Sequence, residues 1–271
     1  DDSYQGRVTV RGPIEAMALQ ADGKLLAKTS AFTYFGELRE GLLRIDADGY
    51  ADEANFSPDL GELEQIRQIL PMADGRILVA GSKTGESLIN FIIHRLNPDG
   101  SRDTGFQPAG NEGMLAAVAL QGDGKILLAG RNLPGPEETG DYLVRLHSDG
   151  SVDDDFQPDF PDNYGSSLNG TSVQMMAIRP GDGHILTVGG GNQRRLIVFD
   201  GDGILTADVQ IPESIRTICM APNGDLFLAG GINTDERYFG QIPQNHIYRY
   251  SANGVLEQLD AGAGSNDPIA A

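Results

Sequence analysis

The sequence predicts an all-β fold, a five-bladed β-propeller of four-stranded antiparallel blades. Three observations predict it. Apolar runs of only about 4–8 residues alternate with Asp-Gly and Asn-Gly turns, the strongest short-range hairpin signal. Two hairpin signatures take turns along the chain. The pair recurs five times at a spacing of roughly fifty residues, the period of a propeller blade.

The first signature is an apolar strand, a Gly turn and a second apolar strand. It reads AMALQADGKLLA (16–27), QILPMADGRILVAG (68–81), AVALQGDGKILLAG (117–130), MAIRPGDGHILTVGG (176–190) and CMAPNGDLFLAGG (219–231). The second reads LLRIDADGYAD (42–52), IHRLNPDGSRD (93–103), LVRLHSDGSVD (143–153), LIVFDGDGILTAD (196–208) and IYRYSANGVLEQ (247–258). Two hairpins make four antiparallel strands, and stacking such units buries faces that no unit covers alone. The units fall at approximately 14–56, 65–106, 113–156, 171–209 and 213–260. The segment GELEQIRQIL (61–70) has a helix-like composition, but its end aligns with the first strand of a unit.

The second hairpin carries charges in register. A turn with Gly in the left-handed position places Arg44 opposite Asp52, Arg95 opposite Asp103, Arg145 opposite Asp153 and Arg249 opposite Glu257. In the fourth unit these positions are Val198 and Thr206, so both charges vanish together, as a cross-strand ion pair predicts. The aromatics that follow, Phe56, Phe106 and Phe156, are expected to pack between blades. Tyr4 continues that series at the amino terminus, where residues 1–6 read as a remnant of a preceding unit or as a strand that closes the ring. Residues 261–271 read as a tail.

Composition narrows the partners. The chain has 271 residues, 36 glycines and a net charge of −19. An acidic surface repels phosphate backbones and anionic membranes, which argues against nucleic acid. No apolar run approaches the ~18 residues of a membrane span. The single cysteine, Cys219, lies in the apolar run SIRTICMA and is expected to be a small core residue.

ALQADGKLLA, ALQGDGKILLAG and RLNPDGSRDTGF resemble the delta-sixty repeat, a bacterial propeller repeat. Units two and three match its pattern well, unit one fairly, and units four and five depart in their second hairpin. The resemblance implies a bacterial protein that is secreted or held at the cell surface, part of a larger multidomain chain, with no established catalytic residues.

Length variation points to one face. The short hairpin turns share one face of the ring; the other carries the longer segments at 30–41, 131–141, 157–172 and 231–246. Variable loops on a rigid scaffold are where binding residues concentrate. The candidate ligand-binding residues there are Tyr34, Phe35, Arg39, Arg131, Phe160, Tyr164, Arg237, Tyr238 and Phe239. Asp46, Asp48, Asp200 and Asp202 resemble fragments of calcium loops, without the distal bidentate Glu. They are the candidate metal ligands, and calcium is the one cofactor considered. His94, His147, His184 and His246 have no metal-like spacing.

The function expected is a non-catalytic binding or adhesion module for a glycan or protein partner. Two alternatives stand beside it. One is a structural spacer, tightened by calcium. The other is a glycoside hydrolase, which needs two carboxylates flanking the scissile bond; Asp159, Asp162, Glu137 and Glu138 are the loop acids to test. No serine-nucleophile elbow and no phosphate-binding loop is present.

Overall fold

The computed structural model describes residues 8–34, 37–63, 65–82, 91–108, 110, 113–131, 133, 143–161, 173–189, 194–212, 214–231 and 245–259. Among them the chain is all-β, with five antiparallel sheets in chain order and no helix. Sheet 1 holds β1 (Thr9–Val10), β2 (Ile14–Leu19), β3 (Leu25–Tyr34) and β4 (Glu37–Ile45). Sheet 2 holds β5 (Gln65–Pro71), β6 (Ile77–Ser82) and β7 (Ile92–Leu96). Sheet 3 holds β8 (Met114–Leu120), β9 (Ile126–Arg131) and β10 (Leu143–Leu146). Sheet 4 holds β11 (Val173–Ile178), β12 (Ile185–Gly189), β13 (Arg195–Phe199) and β14 (Leu205–Gln210). Sheet 5 holds β15 (Ile215–Met220), β16 (Leu226–Gly231), β17 (Asn245–Tyr250) and β18 (Leu256–Gln258). The stretch expected to resist a helix, 61–70, ends in β5.

Four strands per sheet is not what every unit forms. In sheets 2 and 3 the fourth strand shrinks to one bridge, Leu96–Arg102 and Leu146–Val152, and Ile45–Ala51 is its counterpart in sheet 1. The reason is local. The chain turns straight after the acid, with Phe106 N–H donating to Asp103 O and Phe156 N–H to Asp153 O. That turn drops the phenylalanine into the core. Sheets 4 and 5 lack this Phe, and their fourth strands continue as β14 and β18.

The core lies between sheets. Phe56 packs with Leu26, Leu42, Ile69, Ile77 and Val79 across sheets 1 and 2. Phe106 does the same across sheets 2 and 3, and Phe156 across sheets 3 and 4. Between sheets 4 and 5 the filling is Ile211 with Tyr248 and Tyr250. Three arginines of the second hairpins reinforce these junctions. Arg44, Arg95 and Arg145 lie over Phe56, Phe106 and Phe156 at 4.5, 4.8 and 4.4 Å. Each pairs with its own acid: Arg44–Asp52 at 2.9 Å, Arg95–Asp103 at 2.7 Å and Arg145–Asp153 at 2.8 Å. A guanidinium has donors to spare, and these reach the next sheet, where Pro98 O, Ser148 O and Gly201 O accept. In sheet 4 the Thr206 hydroxyl instead donates to Val198 O at 3.0 Å. There Arg179 stacks toward Tyr250 at 5.9 Å and makes the link to sheet 5.

One expectation fails here. Cys219 is exposed, not a core residue. It sits on the face of sheet 5 that points away from sheet 4, and no hydrophobic cluster covers that face among the described residues.

Candidate functional site at the central cavity

In every sheet the strand that opens the first hairpin (β2, β5, β8, β11 and β15) breaks register at the same place. The break falls between Ile14 and Ala16, Ile66 and Gln68, Leu115 and Ala117, Val173 and Met175, and Ile215 and Thr217. The bulged residues are therefore Glu15, Arg67, Ala116, Gln174 and Arg216. A bulge re-aims the side chain of its extra residue. All five are exposed and all five line one cavity of about 810 Å³.

The second strand makes the bulge fit. Opposite it stand Gly81, Gly130, Gly189 and Gly230, with Thr29 in sheet 1. A β-carbon on Gly81 would overlap the Gln65 carbonyl, one on Gly130 the Met114 carbonyl, and one on Gly230 the Ser214 carbonyl. The Ala-Gly that closes ILVAG and LLAG is thus a close-approach requirement. The bulges lie near the entering ends of their strands, at the end of each sheet away from the first hairpin turn.

The cavity chemistry is polar and unevenly charged. Gln68 pins two innermost strands together: its Oε1 accepts from Val118 N–H at 2.7 Å and its Nε2 donates to Val118 O at 3.4 Å. Glu15 lies 4.0 Å from the Lys28 ammonium. Arg67 and Arg216 make no hydrogen bond or ion pair among the described residues. That is unusual in a chain of net charge −19, where Arg44, Arg76, Arg95, Arg145, Arg179, Arg195 and Arg249 all hold acids. Met175, Met176 and Ile218 supply the apolar part of the lining.

Of the nine loop residues singled out from sequence, the side chains of two, Tyr34 and Phe160, are among those described. Phe160 is structural: its ring meets Phe199 edge-on at 4.9 Å within the core between sheets 3 and 4. Tyr34 packs against Ala27, Phe32 and Leu43 of sheet 1. Arg39 and Arg131 lie on β4 and β9, with side chains outside the description. Phe35, Tyr164, Arg237, Tyr238 and Phe239 fall outside the described residues, as do Asp162, Glu137 and Glu138.

The aspartate candidates are turn residues. Asp46 Oδ1 accepts from the N–H of Asp48 and Tyr50 at 3.0 and 2.9 Å. Asp200 Oδ1 accepts from Asp202 and Ile204 at 3.0 and 2.9 Å. One oxygen of each is spent on the backbone, the ordinary Asx-turn arrangement. Among the described residues no three His, Cys, Asp or Glu side chains converge. His184 contacts Asp182 at 3.0 Å and His246 contacts Gln258 at 2.8 Å, in different sheets.

The chain is similar to a β-propeller family. A family model described as a beta-propeller domain of unknown function, DUF5122, matches residues 73–106 and 121–156, the hairpins of sheets 2 and 3. No curated protein sequence matches the chain. Among solved structures, a protein of unknown function from Dyadobacter fermentans superposes with a TM-score of 0.54 at 13% identity, over 97% of this chain and 88% of that one. A putative 6-phosphogluconolactonase from Bacteroides uniformis gives 0.52 at 16% identity, over 92% and 72%. PorZ, a bacterial surface component of the type-IX secretion system of Porphyromonas gingivalis, gives 0.52 at 14% identity, over 93% of this chain and 32% of that one. At these identities the likeness is one of fold. No helix among the described residues is long and apolar enough to cross a membrane.

Proposed function

We propose that the five sheets are blades of a β-propeller that serves as a binding module outside the bacterial cell, and that it recognises an acidic saccharide at the mouth of its central cavity. The observation that carries this reading is a pair of arginines without a partner among the described residues, Arg67 and Arg216, raised on bulges into that cavity. A guanidinium presents a planar fork that matches a carboxylate or phosphate. The glutamines and Thr217 of the lining suit hydroxyl groups. Surface-component and sugar-lactone neighbours of the same fold agree with the location and the ligand class, by analogy only.

A lactonase or glycosidase is the second reading, favoured by the putative phosphogluconolactonase neighbour. Hydrolysis of a glycoside asks for two carboxylates. Among the described residues lining the cavity, Glu15 is the one carboxylate. Titration calorimetry against uronate oligosaccharides, phosphorylated sugars and neutral sugars tests the binding reading. Saturable binding of an acidic member that disappears in the Arg67→Ala, Arg216→Ala double variant supports it. Equal binding of neutral sugars, or no saturable binding of any acidic sugar, overturns it.

A further inference from the structure

Arg67 lines two spaces. Besides the central cavity it borders a smaller pocket of about 120 Å³ between sheets 2 and 3, and Gln68 and Ala116 are shared in the same way. The pocket and the cavity therefore adjoin along these three residues. Successive side chains on a strand point to opposite faces. Leu78 and Ala80 of β6, with Phe91 and Ile93, belong to the cluster between sheets 2 and 3. Ser82 follows Ala80 with the same parity, so it stands on that face too. From sheet 3, Leu115 packs against the same cluster, and Met114, 45% exposed, completes the rim.

Repeat equivalence shows why the space opens here. Lys28, Ala80, Ala129, Val188 and Ala229 hold one register position, opposite Ala16, Gln68, Ala117, Met175 and Thr217. In sheet 1 the long side chain of Lys28 is buried there, its ammonium 4.0 Å from Glu15. In sheet 4 Val188 is buried in the cluster shared with sheet 5. Sheet 2 has only a methyl group at this place. The bulge of sheet 3 adds to the opening, because Ala116 is the smallest of the five bulged residues. Sheet 3 repeats the small residue as Ala129, but its own bulge carries Ala116 where sheet 2 has Arg67. Sheet 5 repeats Ala229 with Arg216, but on a face that no hydrophobic cluster covers among the described residues. A small residue, a neighbouring sheet and a cation at the mouth coincide at the junction of sheets 2 and 3.

Size and lining select the guest. An apolar cavity of ~150 Å³ holds a benzene-sized molecule, so this pocket takes a somewhat smaller group. A bare hydroxyl would gain nothing from Phe91 and Leu115. A plain alkyl group would leave Ser82 unused, and the Ser82 hydroxyl makes no hydrogen bond among the described residues. An acetamido group has the methyl for the first and an amide for the second.

We propose that the pocket between sheets 2 and 3 is a subsite for the acylamino group of a sugar acid. Arg67 holds the carboxylate at the mouth, the acyl methyl enters between Phe91 and Leu115, and the amide meets Ser82. The inference rests on the acidic-saccharide reading above and names the substituent that distinguishes the preferred sugar.

Titration calorimetry on the full chain compares three probes: 2-acetamido-2-deoxyglucuronate, glucuronate and N-acetylglucosamine. The two acids differ only at the second carbon, where acetamido replaces hydroxyl; the third probe keeps the acetamido group and lacks the carboxylate. The acetamido acid is expected to bind at least about tenfold tighter than either of the others. Ala80→Val gives sheet 2 the residue that sheet 4 has at this position, and Ala116→Gln gives sheet 3 the bulged residue of sheet 4. Each is expected to bring the ratio between the two acids below about threefold. Near-ultraviolet circular dichroism verifies that each variant is folded. Ala116 is exposed, so Ala116→Gln decides the matter if the buried Ala80→Val does not fold. Equal affinity for the two acids overturns the subsite and leaves the acidic-saccharide reading standing. A ratio that survives in folded Ala116→Gln places the acylamino group elsewhere and also overturns it. N-acetylglucosamine binding as tightly as the acetamido acid removes Arg67 from the subsite. No saturable binding of either acid overturns this inference together with the reading on which it rests.

Discussion

Arg145 and Asp153 meet at 2.8 Å with both side chains buried, and the same arginine lies 4.4 Å over Phe156 and donates to Gly201 O of the next sheet. One guanidinium therefore closes a hairpin, caps an aromatic ring and bolts two sheets together. Lys125 adds a second cation to Asp153 at 3.0 Å. Lys24 does so for Asp52 and Arg76 for Asp103.

Removing such a partner leaves the buried carboxylate to its second cation, Lys125 for Asp153, and uncovers the phenylalanine ring. Arg145→Ala is expected to cost about 2–4 kcal/mol, from the lost buried pair, the lost hydrogen bond to Gly201 and the lost ring contact together. Arg249→Ala, whose pair is half exposed, is expected to cost under about 1 kcal/mol. Urea unfolding of the two variants measures the difference; equal losses would mean that burial of the pair is not what matters.

Acid stability follows from the same residues. Burial alone would raise the Asp52 carboxyl, but hydrogen bonds from Lys24, Asn55 and Arg44 outweigh it and hold the pKa at about 2. Asp103 and Asp153 are lowered in the same way, by Arg95 and Arg76 and by Lys125 and Arg145 against the opposing effect of burial. A carboxylate whose folded pKa is depressed stabilises fully above its unfolded value, near 4, and loses that contribution as pH falls toward its folded value. Stability is expected to drop between about pH 4 and pH 2, by about 2 kcal/mol for Asp52. Asp52→Asn removes that part of the acid limb, which a pH series of melting curves resolves.

At the cavity, Arg67→Ala and Arg216→Ala are each expected to weaken acidic-ligand binding about tenfold or more with little change in Tm, since neither side chain holds a partner among the described residues. The loss should shrink as salt screens the wild-type interaction. Calorimetry at two ionic strengths checks both points.

Gly81→Ala is expected to destabilise by about 2–4 kcal/mol, because the new methyl meets the Gln65 carbonyl. It should also displace the Arg67 bulge and lower affinity. Gly122→Ala is the control: a β-carbon there has open space. Unchanged stability in both variants would remove the close-approach argument.

The sequence carried the hairpins, the Arg–Asp register and the interleaved phenylalanines, because each depends on spacing within a few residues. Asp-Gly turns with Gly at positive φ, such as Gly100 and Gly150, are local signals of that kind. The cavity residues were missed because a bulge is a matter of register between strands. The glycine that ends the second strand, as in ILVAG, was the available signal. Cys219 was misplaced for another reason. Its apolar neighbours report a strand with a buried side, but not whether the other side has a neighbour.

The bulges have a further consequence. Glu15, Arg67, Ala116, Gln174 and Arg216 differ in charge and size at one shared backbone position. In four of the sheets the geometry is accommodated from across the strand by a glycine, and the bulged side chain itself is exposed and carries no packing duty. The side chain presented to the cavity can then differ from sheet to sheet while the backbone that presents it stays the same.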